Sequence, residues 1–174
     1  MVKPHPTLFH HMVSIAILPF NVLITIPVFI LSLEKSNSSN FIVNLPTWII
    51  IPIGILTLII GLFLILQTIS LFYKKGKGTL APWNPTQKLV VEGPYQYVRN
   101  PMISGVLCVL IAESLFLKSV PIFYWALFFF TLNSVYFLLK EEPDLSKRFG
   151  EGYEIYKKNV PRWIPRSKPW KKPK

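Results

Sequence analysis

The sequence predicts an all-α integral membrane protein with about four transmembrane helices and a C-terminal amphipathic helix at the membrane surface. Three observations lead to this prediction. Only 16% of the 174 residues are charged, whereas a soluble domain carries roughly a quarter. The apolar residues are gathered into long blocks that contain few or no charged side chains. The basic residues are concentrated in two segments that follow such blocks, which is typical of membrane proteins.

Four apolar segments are candidates for spanning helices. Residues 12–33 and 46–73 contain no charged side chain over 22 and 28 residues, and about 20 apolar residues suffice to cross a bilayer. The third block is interrupted at Lys118, so we predict that residues 102–117 and 120–139 form two spans joined by a tight turn. The first segment has no small-x-small cleavage site behind it and is not predicted to be a signal peptide.

The basic residues also predict the orientation of a single membrane domain over residues 1–174. Of the 19 Lys and Arg residues, five lie in the 74–101 loop and eleven lie in the tail, residues 140–174. The positive-inside rule places both segments in the cytoplasm, and four spans then place the N-terminus there too. Because the net charge of +11 follows membrane ends, we predict no nucleic-acid partner. We expect residues 166–174 to contact anionic headgroups.

The cysteine and histidine residues give no sign of a disulfide or a metal site. Cys108 is the one cysteine of the chain, so it has no partner for an intrachain disulfide. His5, His10 and His11 precede the first span and lack the spacing of metal ligands. We therefore predict that the protein binds no metal ion.

The 74–101 loop is the first of two polar segments that could form a site. It is rich in Gly and Pro, carries Tyr95 and Tyr97, and ends in Arg99 directly before a span. Most connections run only about 4–6 residues, so a loop of this length is a candidate binding loop. An interfacial loop with an ordinary snorkelling Arg remains the alternative.

The second polar segment begins where the fourth span ends. Glu141 and Glu142 lie at the C-terminal end of that helix, and Pro143 suits the first turn of a new one. Carboxylates are unfavourable at this end of a helix dipole, and two adjacent ones repel each other. Arg99, Lys140 or a bound cation could each compensate Glu141. One face of the following amphipathic helix is apolar and aromatic, and it consists of Leu145, Phe149, Tyr153 and Tyr156.

Together the two segments resemble the isoprenylcysteine carboxyl methyltransferase and phospholipid N-methyltransferase superfamily of integral membrane enzymes. The resemblance covers about residues 79–165. The positions that match the superfamily pattern are Gly93, Tyr95, Arg99, Pro101, Gly105, Glu141, Glu142, Leu145, Phe149, Gly150, Tyr153, Tyr156, Val160 and Pro161.

The resemblance implies methyl transfer from S-adenosylmethionine to a lipid-like substrate that enters from the bilayer. The substrate nucleophile could be an amine, a carboxylate or a thiol. The resemblance implies catalytic roles for Arg99, Asn100 and Glu141. The cofactor contacts that it implies are Gln87, Lys88, Leu89, Val90, Tyr95, Asn100, Pro101, Met102, Ile103, Glu141 and Glu142.

Three positions depart from the superfamily pattern. Asn100 stands where the pattern has His, and Asn does not titrate near neutral pH. Ile103 replaces a Tyr, and Phe137 replaces the substrate-binding Arg of the prenylcysteine enzymes. A non-catalytic membrane protein that keeps this fold for lipid binding or structural purposes is therefore the competing hypothesis.

Overall fold

The computed structural model describes residues 16–34, 46–72, 74 and 89–171, and regular secondary structure in these residues is entirely helical. A π-helical segment, Ala16–Thr25, continues into the first α-helix, and a short 3-10 helix, Gly93–Gln96, lies in the loop before the third. The α-helices are α1 (Ile26–Leu33), α2 (Thr47–Leu71), α3 (Pro101–Phe116), α4 (Val120–Tyr136), α5 (Glu142–Phe149) and α6 (Glu151–Asn159).

Two helical segments are long and apolar enough to cross a membrane. They are α2 and the continuous helix Val120–Phe149, whose apolar run ends at Leu139. The helical segments Pro19–Leu33 and Pro101–Phe116 are apolar but shorter. Many large apolar side chains of α2 and α4 are exposed, and a helix that is apolar all round without being buried suits a lipid environment. Residues 12–15 and 73 of the predicted spans lie outside the described residues.

The helices α2 and α3 are in backbone contact. A Cβ atom added to Gly61 would lie 2.8 Å from the carbonyl oxygen of Gly105, and one added to Gly105 would lie 2.9 Å from that of Gly61. Small residues allow this close approach in membrane helices. The core beside the crossing includes Ile65 of α2, Leu110 of α3 and Phe129 of α4. This packing places the end of α2 beside the beginning of α3.

The helix that contains α4 does not stop at the pair of carboxylates. Its backbone continues through a π-helical segment, Phe137–Glu141, into α5. Pro143 lies in the first turn of α5, where a missing N–H costs little. A π turn holds one extra residue and so changes which side chains share a face; such turns are frequent at functional sites.

The amphipathic helix predicted after the fourth span is broken in the structure. Gly150 separates α5 from α6 with a φ of +55°, a conformation that glycine adopts without steric cost. The prediction of one continuous helix is therefore wrong at this residue. The aromatic face is nevertheless kept, because Tyr153 and Tyr156 are buried together with Val160 and Trp170.

The tail folds back onto the loop that precedes α3. The amide of Arg99 donates to the carbonyl of Pro161 over 2.9 Å, and the amides of Arg166 and Trp170 donate to the carbonyls of Tyr97 and Gln96, each over 3.0 Å. Trp170 is only 9% exposed. The contact of residues 166–174 with lipid headgroups stays a prediction: Trp170 packs against the protein, while Ser167, Lys168, Pro169 and Lys171 are exposed.

Candidate functional site

A cavity of about 170 Å³ lies where the end of α2, the loop before α3 and the helices α5 and α6 meet. It combines aromatic rings, two adjacent carboxylates and an arginine at the polar end of the helices. The residues that line it are Phe72, Leu89, Val90, Tyr95, Arg99, Asn100, Met102, Ile103, Phe137, Glu141, Glu142, Leu145, Phe149, Tyr153 and Tyr156.

Most of the residues that the sequence singled out meet at this cavity. Pro101 begins α3 and is buried, but it does not line the cavity. Gln87 and Lys88 lie outside the described residues. In the described ranges, no group of three or more His, Cys, Asp or Glu side chains could hold a metal ion. The predicted residues that line the cavity are Leu89, Val90, Tyr95, Arg99, Asn100, Met102, Ile103, Glu141 and Glu142.

Glu142 is the centre of a charged cluster. Its Oε1 atom lies 2.8 Å from Nη1 of Arg99 and 2.7 Å from Nε of Arg162, and its Oε2 atom lies 3.5 Å from Nζ of Lys157. Burial raises the pKa of Glu142, but the hydrogen bond from Arg162 and the three positive charges outweigh burial and hold the pKa below its usual range. Glu142 is therefore ionised and fixed in place.

Glu141 takes part in none of these three ion pairs, although it is the adjacent residue. Burial raises the pKa of Glu141 to about 7, and the negative charge of Glu142 adds to this effect, while Arg148 opposes it. Arg99 was one of the predicted partners of Glu141, but its Nη1 atom binds Glu142. A cation in the cavity would therefore stabilise the ionised form of Glu141.

Three tyrosines, Tyr95, Tyr153 and Tyr156, line the same cavity as the carboxylates. The hydroxyl of Tyr156 donates to the carbonyl of Tyr95 over 2.8 Å, and the ring of Tyr95 lies 5.7 Å from that of Phe72. Burial raises the pKa of Tyr95 and Tyr156 well above the usual value, and burial and Glu142 raise that of Tyr153 to about 12. These hydroxyls remain neutral hydrogen-bonding groups at physiological pH.

Asn100 lies at the N-terminal end of α3, where that helix meets the cavity. Its side chain makes no capping hydrogen bond, although its carbonyl accepts from the amide and hydroxyl of Ser104. The first turn of a helix has free N–H groups and a partial positive charge. This end of the cavity therefore suits a hydrogen-bonded anionic group.

Sequence reasoning missed two residues of this region. Arg162 binds Glu142, and Phe72 lines the cavity at the end of α2. The signal for Arg162 was its place directly after Val160 and Pro161, which match the superfamily pattern. It was grouped with the basic residues of the tail, because a contact between residues twenty positions apart leaves no periodic pattern.

A second cavity of about 190 Å³ adjoins the first. It lies between the first helical segment, α3 and α4, and its walls are mainly apolar. The two cavities share Met102, Ile103, Phe137 and Glu141. The remaining residues that line it are Pro19, Val22, Val106, Phe129, Asn133 and Tyr136.

Comparison with known proteins gives one family. A family model described as phospholipid methyltransferase matches residues 49–152. This range is more than half of the chain and contains α2 from its third residue onward, α3, α4, the loop before α3 and both carboxylates. Neither a curated protein nor a solved structure matches the chain significantly.

Proposed function

Because this chain belongs to the phospholipid methyltransferase family, we propose that it transfers a methyl group from S-adenosylmethionine to a lipid-like molecule in the membrane. Membership of the family implies methyltransferase activity on such a substrate. We choose this site for the reaction because Glu141 borders both the polar, aromatic cavity and the apolar one.

The residues of the first cavity fit S-adenosylmethionine. The cofactor carries a sulfonium, an ammonium and a carboxylate group beside its adenosine. Glu141 suits the cationic groups, aromatic rings favour them as well, and the N-terminal end of α3 suits the carboxylate. In the described part of the chain, Nε of Arg99 and Oε2 of Glu142 are buried without a hydrogen-bond partner. Nε of Arg99 can therefore donate to a polar ligand, whereas Oε2 of Glu142 already faces Nζ of Lys157 at 3.5 Å.

The chain's own residues would act by positioning and by excluding water. When bound, S-adenosylmethionine supplies an electrophilic methyl group for an in-line displacement. Glu141 stabilises positive charge beside it, and Asn100 binds and orients the polar end of the cofactor. Phe137 and Ile103 keep water from the boundary between the cavities. Alignment of the two reactants accounts for much of the acceleration in reactions of this kind.

The second cavity would hold the apolar chain of the substrate. Two of the helical segments that wall it, the first one and α4, expose large apolar side chains on their outer faces, so a lipid can enter sideways from the bilayer. A chain bound there places the polar group of the lipid at the shared wall, beside Glu141. The nucleophile can be an amine, a carboxylate or a thiol.

We further propose that the chain crosses the membrane four times, with the first cavity on the cytoplasmic side. We expect cysteines introduced at Ser38 and at Lys171, each in a Cys108→Ser background, to react with an impermeant maleimide from opposite sides of the membrane. The basic loop and tail are the physical reason. Labelling after permeabilisation controls for accessibility, and labelling of both positions from one side would contradict four spans.

Methyl transfer is tested with membranes that contain the protein. Incubation with methyl-labelled S-adenosylmethionine is expected to place label in the lipid extract, and membranes without the protein serve as the blank. Mass spectrometry of the labelled lipid then identifies the nucleophile. Label that stays out of the lipid extract while the cofactor binds would contradict the proposed reaction.

The variant Val22→Trp tests the second cavity in the same assay. Tryptophan at this position would fill part of the second cavity. The substrate chain would then lose apolar contact with the cavity walls, so we expect lipid labelling to fall by about tenfold or more. Cofactor affinity should stay within about twofold, because Val22 does not line the first cavity. The control is Ile24→Trp, an exposed position on the same helical segment. Equal lipid labelling by the two variants would contradict this assignment.

A further inference from the structure

We propose that Arg162 is a positioning residue of the methyltransferase site, which acts through Glu142 and so links the C-terminal tail to that site. The inference rests on the proposed function, because its measurable effect is on binding of S-adenosylmethionine. Arg162 does not line the cavity itself, so its effect on a ligand must pass through the carboxylate that it holds.

The geometry ties the tail to the carboxylate pair. Nε of Arg162 and Nη1 of Arg99 bind the same oxygen of Glu142, at 2.7 Å and 2.8 Å. Arg99 comes from the loop before α3 and Arg162 from the segment after α6, so one carboxylate oxygen joins three parts of the chain. Glu141 directly precedes Glu142. Fixing Glu142 therefore fixes the helical turn that carries Glu141 at the cavity.

The backbone of the same segment makes further contacts with the cavity wall. The carbonyl of Pro161, next to Arg162, accepts from the amide of Arg99. The ring of Trp170 lies 5.7 Å from that of Tyr156, whose hydroxyl holds the carbonyl of Tyr95. Arg162 thus lies in a segment held against the cavity wall from both ends, and its side chain is not a loose surface charge.

The charge balance explains why Arg162 matters in addition to Arg99. The side chain of Glu142 is only 4% exposed, so water replaces a lost charged partner poorly. Without Arg162, the carboxylate keeps Arg99 at Oε1 and the more distant Lys157 at Oε2. Less of the negative charge beside Glu141 is then balanced, and Glu142 is held at Oε1 by Arg99 alone. Both changes disturb the cavity at its charged wall.

The test measures affinity for S-adenosylmethionine by calorimetry on the full-length protein in detergent, below its melting temperature. We expect Arg162→Met to weaken binding by about five- to tenfold, which is less than the effect of losing a direct hydrogen bond to a charged group, because Arg162 acts through Glu142. Arg162→Lys should recover most of the affinity, because one donor to Oε1 is all that the geometry requires. Arg166→Met is the matched control, since that side chain binds the carbonyl of Asn159 and no carboxylate.

A double-mutant cycle separates action through Glu142 from a general structural effect. If Arg162 acts through Glu142, Arg162→Met should have no further effect on affinity in a Glu142→Met background, because methionine offers Arg162 no carboxylate or amide acceptor. The inference alone is overturned if the wild type binds the cofactor and Arg162→Met binds it equally well, or if Arg162→Met weakens binding equally in both backgrounds. Failure of the wild type to bind the cofactor would overturn the proposed function, and this inference with it.

Discussion

Replacement of Glu141 by Gln is expected to weaken binding of S-adenosylmethionine by about one to two orders of magnitude. A hydrogen bond to a charged group contributes roughly 1.5–3 kcal/mol, and the amide keeps the size of the side chain while removing its charge. Titration calorimetry in detergent measures the effect. Glu151→Gln is the matched control, because Glu151 is exposed at the start of α6 and outside the cavity.

The pH dependence gives a second signature of the same residue. Because the pKa of Glu141 is raised to about 7, cofactor affinity should increase as the pH rises through about 7 and the carboxylate ionises. Glu141→Gln should lose this increase.

The raised pKa of Glu141 also makes the stability of the folded protein depend on pH. Protonated Glu141 stabilises the folded state; this contribution is complete below pH 4.5 and is lost as the pH rises to about 7. The variant should therefore be as stable as the wild type at neutral pH, or slightly more stable. An unchanged dissociation constant would contradict the role of Glu141.

The same substitution at the adjacent position is expected to act mainly on stability. Glu142→Gln leaves Arg99 and Arg162 beside an uncharged amide, and Arg99 is only 11% exposed. Loss of a largely buried charge pair costs on the order of 2 kcal/mol when the amide still accepts hydrogen bonds. We expect the melting temperature, measured without ligand, to fall by roughly 4–8 °C.

The lowered pKa of Glu142 determines how this loss of stability changes with pH. Its stabilising contribution is complete above the ordinary value of 4.5 and is lost as the pH falls through the lower value in the folded protein. The difference in stability between the wild type and Glu142→Gln should therefore shrink at acid pH. Equal melting temperatures at neutral pH for Glu141→Gln and Glu142→Gln would contradict the different roles of the two carboxylates.

The helices could be predicted because their cause is local. Apolar runs such as residues 46–73 exceed the length of a bilayer crossing, and composition alone shows this. The break between α5 and α6 could not be predicted in the same way. The apolar spacing from Leu145 to Tyr156 continues across Gly150, and glycine is compatible with a helix as well as with the positive φ that it adopts here.

The sequence predicts which residues line the cavity better than it predicts which ion pairs they form. Tyr95, Asn100 and Glu141 lie at ends of apolar segments, and packing of the helices brings those ends together. Whether Arg99 binds Glu141 or Glu142 depends on the π-helical turn and on Arg162, which approaches from the tail. Spacing along the sequence does not contain that information, so the sequence left Arg99, Lys140 and a bound cation as alternatives.

Two of the residues that depart from the superfamily pattern, Asn100 and Ile103, line the first cavity. Asn100 makes no capping hydrogen bond and lines the first cavity, so its amide can bind a ligand without titrating. Ile103 lies in the wall between the cavities, where an apolar side chain helps to exclude water. Both residues suit a site that works by positioning. A protein that had kept the fold only to bind lipid would have no use for a cofactor.

Cofactor binding by the wild-type protein is therefore the most direct test. Purified protein in detergent is titrated with S-adenosylmethionine and, separately, with its demethylated product. We expect saturable heat for both ligands with one site per chain, because they share the adenosine and amino acid groups that the proposed site would bind. The absence of heat at about millimolar ligand, where even a binding free energy near 4 kcal/mol is detectable, would contradict a methyltransferase site and favour a non-catalytic lipid-binding protein.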